Sequence, residues 1–240
     1  MGEARMSKSG LWKAIWEIRY PAAAKLFDVR GDIAGRWQRD ELTDWRISSN
    51  QVVIHNIPET KVKIVGIRNA IMSEEQPTSY SNFSRGAIDF SQDIVDRLQI
   101  TKLDRMGLRL LFLEERKHFK QLMNRMSQRL FRLKNEDWEV FGGTLEDIGF
   151  PLTLKVGNKK ANLKLGPMNK EQYRKDNVFK SDETLEDLPL VSLFVDFDLY
   201  ELDPSGRAVN ELIADYLTNN GPEIHRIVDQ IYDHFGGFER

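Results

Sequence analysis

Two stretches of alternating residues constrain this chain more than anything else in it. In the first, Ala14, Trp16, Ile18 and Tyr20 alternate with Lys13, Glu17 and Arg19. In the second, Met106, Leu108, Leu110 and Phe112 alternate with Arg105, Gly107 and Arg109. Period-two alternation sends the apolar set to one face of a strand and the charged set to the other. Each stretch is followed by a helical pattern, then by strands, then by another helix. The order strand, helix, about three strands, helix thus occurs twice, which we read as an internal duplication. The fold expected is α+β, with a mainly antiparallel sheet and helices on one face. Its two repeats, 11–100 and 101–240, would pack as one globular unit behind a flexible N-terminal tail, 1–10. Whether the halves share one sheet is open at this point.

In the first half, Pro21 ends the opening strand. A helix follows to about Gln38, with Leu26, Val29, Ile33 and Trp37 on one stripe. Strands are predicted over 45–48, 52–57 and 61–72, a polar loop over 73–84, and a helix over 85–99. In the second half, 114–134 reads as a helix. Its Phe119, Leu122, Met123, Met126, Leu130 and Leu133 share one face. A short strand is predicted over 138–141. Leu152, Leu154 and Val156, the turn Gly157-Asn158, and Ala161, Leu163 and Leu165 spell a hairpin. Residues 166–187 read as loop and 190–200 as a strong strand. Helices are expected over 208–218 and 223–235, interrupted by Asn219-Asn220-Gly221-Pro222.

Charge is balanced overall and uneven along the chain. The net charge is −2, yet 101–180 holds 18 basic and 10 acidic residues, and 181–240 holds 3 basic and 14 acidic. That balance argues against a dedicated nucleic-acid binder and permits a local basic surface. The absence of Cys removes disulfides, thiolate zinc sites and Cys nucleophiles. No apolar run approaches the roughly 18–20 residues of a membrane span, and the polar opening has no secretory apolar core. The expectation is a cytoplasmic protein with no membrane partner.

Site candidates gather on the polar side of the strands. Arg105 and Arg109 share a side, because four residues is an even number of pleats, and Arg19 takes the matching place in the first half. Lys155 and Lys164 lie on the polar face of the hairpin. Asp196 and Asp198 share a face with Phe194 and Tyr200. Such a face reads as a platform for a ligand or partner, or as a solvated surface of cross-strand ion pairs linking Arg105 or Arg109 to Asp196 or Asp198. The paired aspartates also suit a hard cation such as Mg²⁺, although nothing in the spacing supplies further ligands. Lys117, Arg125, Arg129 and Arg132 flank one helix, as phosphate grips or as a solvated face. His225 and Asp229, one turn apart with Asp233 following, could chelate metal only with help from elsewhere. Trp12, Trp45 and Trp138 read as core or as interface anchors. No His-Glu-x-x-His run, nucleophile elbow, phosphate loop or catalytic triad is present, so no catalytic residue and no cofactor is assigned.

Three segments resemble one bacterial family, known only as a sporadically distributed protein of unknown function. They are Ile15-Trp16-Glu17-Ile18-Arg19-Tyr20 followed by Pro21, Leu103-Asp104-Arg105-Met106-Gly107-Leu108-Arg109, and Leu193-Phe194-Val195-Asp196-Phe197-Asp198-Leu199-Tyr200. The chain departs from that family's pattern at Leu110-Leu111, where a Tyr and then an Asn are expected. The resemblance implies a bacterial origin and a patchy, mobile or defence-linked distribution. It brings no catalytic residues. Three functions follow from these readings. The leading one is a non-enzymatic binding or accessory protein that uses its sheet face for a protein partner or for itself. The second is nucleic-acid binding, with Arg19, Arg105, Arg109, Lys155 and Lys164 on phosphates and Phe194 or Tyr200 stacked on bases. The third is a metal-dependent hydrolase using Asp196 and Asp198.

Overall fold

A computed structural model of the chain describes residues 10–38, 43–57, 60–132, 137–138, 140, 142, 144–175 and 186–236. The expected tail falls almost wholly outside them, and Gly10 already belongs to the first strand. The elements run β1 (Gly10–Arg19), α1 (Leu26–Trp37), β2 (Thr43–Ile47), β3 (Gln51–Asn56), β4 (Lys61–Gly66), β5 (Asn69–Glu75), α2 (Tyr80–Leu98), β6 (Arg105–Glu115), α3 (Phe119–Phe131), β7 (Phe150–Val156), β8 (Lys159–Asn169), α4 (Lys170–Lys175), β9 (Val191–Leu202) and α5 (Val209–Gly236).

All nine strands form one antiparallel sheet in the order β2-β3-β4-β5-β1-β6-β9-β8-β7. The two alternating stretches of the sequence, β1 and β6, are its central neighbours. Trp16 lies opposite Leu108 and Ile18 opposite Met106, so their apolar faces coincide. The halves therefore share a single sheet, joined along the β1–β6 seam. The first half carries four strands after its helix, because 61–72 is a hairpin. Tyr20 Oη donates to the carbonyls of Gly66 and Asn69, at 2.9 Å each, and pins the turn between β4 and β5. An apolar Ile67 inside that turn conceals it from a pattern reading.

The main core lies between the alternating apolar face and α1, α2, α3 and α5. Polar tips fix the helices as their bodies pack. Trp16 Nε1 donates to Ser91 Oγ of α2 at 2.8 Å, and Tyr216 Oη of α5 donates to the Leu199 carbonyl at 3.0 Å. Helices do not all sit on that face, however. On the opposite face α4 and Leu188 cover a second, smaller core of Leu111, Leu113, Met168, Tyr173 and Phe194, with Trp12 and Ile15 packed against it. The 166–187 segment is thus only partly loop: β8 continues to Asn169 and α4 follows.

Other boundaries move for identifiable reasons. β5 extends through Glu74 and Glu75, which are buried against Lys61 and Lys13, so residues that look like loop continue a strand. Ser79 accepts a hydrogen bond from the Asn82 N–H and caps α2 there, earlier than the apolar pattern alone implies. β6 runs through Glu115, held by its pairing with the long β9, and this delays α3 to Phe119. Residues 137–138 and 140 form a helical turn where a strand was expected, and Phe141 lies outside the described residues.

The expected break at Asn219-Asn220-Gly221-Pro222 is absent: α5 is continuous, with Pro222 inside it. Tyr80 explains this. Its hydroxyl donates to the Leu217 carbonyl at 2.5 Å, and the Gly221 backbone hydrogen-bonds the same phenol. The hydroxyl thereby stands in the gap of the helical ladder next to the proline, which has no N–H to give. Gly221 is required because the Tyr80 ring occupies the space a Cβ would need.

Candidate functional site

Pairing register brings the polar residues of the open face into rows across the strands. One row reads Ile71, Glu17, Gly107, Tyr200, Lys160 and Lys155; the next reads Ser73, Ile15, Arg109, Asp198, Asn162 and Thr153. A third holds Glu75, Lys13, Leu111, Asp196, Lys164 and Pro151.

Gly107 is the key to the first row. Its neighbours on either side are Glu17 and Tyr200, and it presents no side chain between them. The Arg105 guanidinium lies down in that notch. A Cβ on Gly107 would stand 2.8 Å from Arg105 Nη1 and 2.9 Å from Cζ. From the notch Arg105 donates to Glu17 and reaches Asp198 at 3.3 and 3.4 Å, with its Cζ 4.9 Å from the Tyr200 ring centre. Arg19 adds a second donor to Glu17 at 3.0 Å. The Arg-x-Gly-x-Arg spacing is thus a local device: a glycine one pleat from an arginine lets the long side chain fold along its own strand.

Arg109 makes a two-pronged contact. It grips Asp196 with two bonds, Nε at 2.7 Å and Nη2 at 2.6 Å, the fork geometry that guanidinium and carboxylate favour. The grip is diagonal, since the register sets Arg109 opposite Asp198. Donating to the Asp196 carboxylate raises the Arg109 pKa. Asp198 is left with longer contacts to Arg105 and Asn162. Burial pushes its carboxyl pKa up, and Arg105 only partly opposes this.

The two aspartates therefore differ in kind. Asp196 is buried and held at both oxygens by Arg109, whereas Asp198 has only the longer contacts; both line a cleft of about 310 Å³ together with Arg109, Asn162, Lys164, Thr153 and Pro151. That volume is at the low end of small-ligand sites. Both carboxylates already face guanidiniums, which compete with any cation, and among the described residues no group of three His, Asp or Glu side chains is placed to hold a metal.

Of the residues singled out from sequence, Arg19, Arg105, Arg109, Asp196, Asp198 and Tyr200 meet in this network. Lys155 and Lys164 lie on the same face, toward the rim, without an ion pair among the described residues. Phe194 does not join them, because it is buried beneath the α4 cover. Arg125 is partly buried and donates to the Phe235 carbonyl at the end of α5. Trp138 donates to Ser127, Trp12 packs on the smaller core, and Trp45 is 45% exposed on the edge strand β2, against a core placement. His225 packs edge-on against Phe112 and Tyr80 inside the main core. Sequence reasoning missed Glu17, Asn162 and Lys160. Each lies an even number of residues from a residue that was singled out on the same strand, and that spacing was the available signal.

No protein-family model and no curated protein sequence matches the chain. Among the described residues no helix is long and apolar enough to cross a membrane.

Proposed function

We propose that this protein is a non-enzymatic binding protein, an accessory subunit that takes an acidic surface of a protein partner on its open sheet face. One observation carries the reading. At the centre of that face the cations are spoken for, Arg105 and Arg19 by Glu17, Arg105 also by Asp198, and Arg109 by Asp196. At the rim, Lys155, Lys160 and Lys164 stand on the same face and make no ion pair among the described residues; Asp196, opposite Lys164, is held by Arg109. Lys155 and Lys160 are directly opposite each other in the β7–β8 ladder, an arrangement that costs stability unless something answers it. A matched centre gives rigidity and an unmatched rim gives attraction and steering toward a complementary surface.

The resemblance to the sporadically distributed bacterial family supports placing this role in the bacterial cytoplasm, in a defence-linked system. The strand order, mirrored about the β1–β6 seam except for the extra edge strand β2, supports a duplicated origin for the two units, although α4 interrupts the strands of the second half alone. Nucleic acid is the competing partner, favoured by the same lysines beside Tyr200. It is weakened by Arg105 being held in its notch and by Phe194 lying under α4, out of reach of a base. The metal-hydrolase reading is weakened by the arginines on both aspartates.

The test is light-scattering mass at two salt concentrations, with absorbance at 260 and 280 nm followed across the peak. The reading expects a clean protein spectrum in both conditions. A persistent excess at 260 nm that high salt strips away would replace it with nucleic-acid binding.

A further inference from the structure

We propose that the outer edge of β7 is a docking site for an extended segment of a partner protein in which acidic and apolar residues alternate. This rests on the binding reading above and names the partner's chemistry.

The β7–β8 hairpin has two edges. A two-residue loop, Gly157-Asn158, closes it with Val156 opposite Lys159, and Gly157 takes the positive φ of 62° that such a turn needs. From that closing pair the ladder alternates, so Thr153 and Lys155 turn their backbone N–H and C=O groups outward. Pro151 also falls at an outward position, where its missing N–H costs no bond to β8. The outward groups at Thr153 and Lys155 are what an added strand would pair with.

The two faces of this edge differ in chemistry. On the open face are Lys155 and, on the neighbouring strand β8, Lys160 and Lys164. On the helix face, Leu152 and Leu154 are 44% and 39% exposed, and on α3 Leu130 and Phe131 are 43% and 48% exposed. Phe131 packs on Phe150 of β7 with ring centres 5.2 Å apart, so the apolar patch continues from strand to helix. An added strand sends alternate side chains to these two faces, acidic toward the lysines and apolar toward the leucines.

The inner edge of the same hairpin already binds such a strand. Val195-Asp196-Phe197-Asp198-Leu199 of β9 alternates apolar and acidic, with Asp196 opposite Lys164 and Asp198 opposite Asn162. The outer edge repeats that demand, and among the described residues no strand pairs with it. Charge also selects against a second copy of this chain. Antiparallel β7–β7 pairing would set two lysine rims side by side on one face, with no acidic residue on either β7.

The test is fluorescence anisotropy on the full chain with a short labelled peptide alternating glutamate and valine. Three further probes serve as comparisons: a lysine–valine peptide, a glutamate–serine peptide and a single-stranded oligonucleotide. The glutamate–valine peptide is expected to bind best, more weakly in high salt. The double variant Lys155→Glu with Lys160→Glu should weaken it at least tenfold. Thr153→Pro, which removes an outward N–H and leaves the ladder to β8 intact, should do the same with an unchanged melting temperature. Equal binding of the lysine–valine peptide, indifference to either variant, or preference for the oligonucleotide overturns the proposal. Peptide binding lost in Lys164→Glu yet kept in Thr153→Pro would move the site to the cleft and spare the sheet-face reading. No binding of any acidic peptide would remove both.

Discussion

Replacing Gly107 with alanine tests the notch directly. Alanine is ordinarily the better strand residue, by about 0.5–1 kcal/mol over glycine, so a reading without the notch expects a small gain in stability. The structure reverses that sign. The new Cβ would stand 2.8–2.9 Å from three atoms of the Arg105 guanidinium. The clash itself is cheap, since a long side chain can swing away. What is lost is its hydrogen bonding to Glu17 and Asp198, whose side chains are only 14% and 24% exposed. Hydrogen bonds to charged groups contribute about 1.5–3 kcal/mol each. Arg19 stays on Glu17 and water reaches part of Asp198, which returns some of the loss. We expect a net destabilisation of about 2 kcal/mol, a fall in melting temperature of about 4–8 °C for a chain of this size. Urea unfolding followed by tryptophan fluorescence would measure it. In an Arg105→Ala background the same glycine substitution should become stabilising by about 0.5–1 kcal/mol. A Gly107→Ala protein at least as stable as the parent, or a loss that persists without Arg105, would refute the reasoning.

Three other outcomes follow from the same contacts. Tyr80→Phe should cost about 1–2 kcal/mol in urea unfolding, because the Leu217 carbonyl and the Gly221 backbone lose the hydroxyl that bridges the gap in α5; no change would show that the helix tolerates Pro222 unaided. Burial lowers the pKa of His225 below 6.5, with Asp229 opposing, so the unfolded chain binds its proton more readily. Stability from this group is therefore complete above pH 6.5 and lost as pH falls toward the folded pKa, and thermal melts from pH 7 downward should show a decline that His225→Gln reduces. Millimolar Mg²⁺ should leave the melting temperature unchanged in the parent protein, whereas a rise abolished by Asp198→Asn would revive the metal reading.

Much of the site was legible because strand periodicity carries it. Even spacing alone placed Arg105 with Arg109 and Asp196 with Asp198 on one face, and the structure pairs them across β6 and β9 as Arg109–Asp196 and Arg105–Asp198. Which arginine meets which aspartate was not legible, since it depends on register and on a guanidinium lying along its own strand over Gly107. The cover on the open face was equally hidden. Phe194 reads as an exposed aromatic until β8 is seen to continue through Gly166 and Pro167 into α4, which folds back over it. Polar residues misled in one direction: Glu74 and Glu75 look like loop and are buried strand, because Lys61 and Lys13 meet them from distant segments. Gly221-Pro222 misled in the other, because the group that bridges the helix there, the Tyr80 hydroxyl, belongs to α2.

An acidic partner should touch this face at the outer hairpin and leave the central ion pairs alone. Backbone amide shifts of the isotope-labelled full chain, recorded during titration with the glutamate–valine peptide, would show it residue by residue. The predicted result is a set of shifts confined to β7, the outer part of β8 and the exposed end of α3, with Arg105, Gly107 and Arg109 unmoved in their ion pairs. Shifts centred on Arg105, Arg109 and Asp198, with β7 silent, would contradict it.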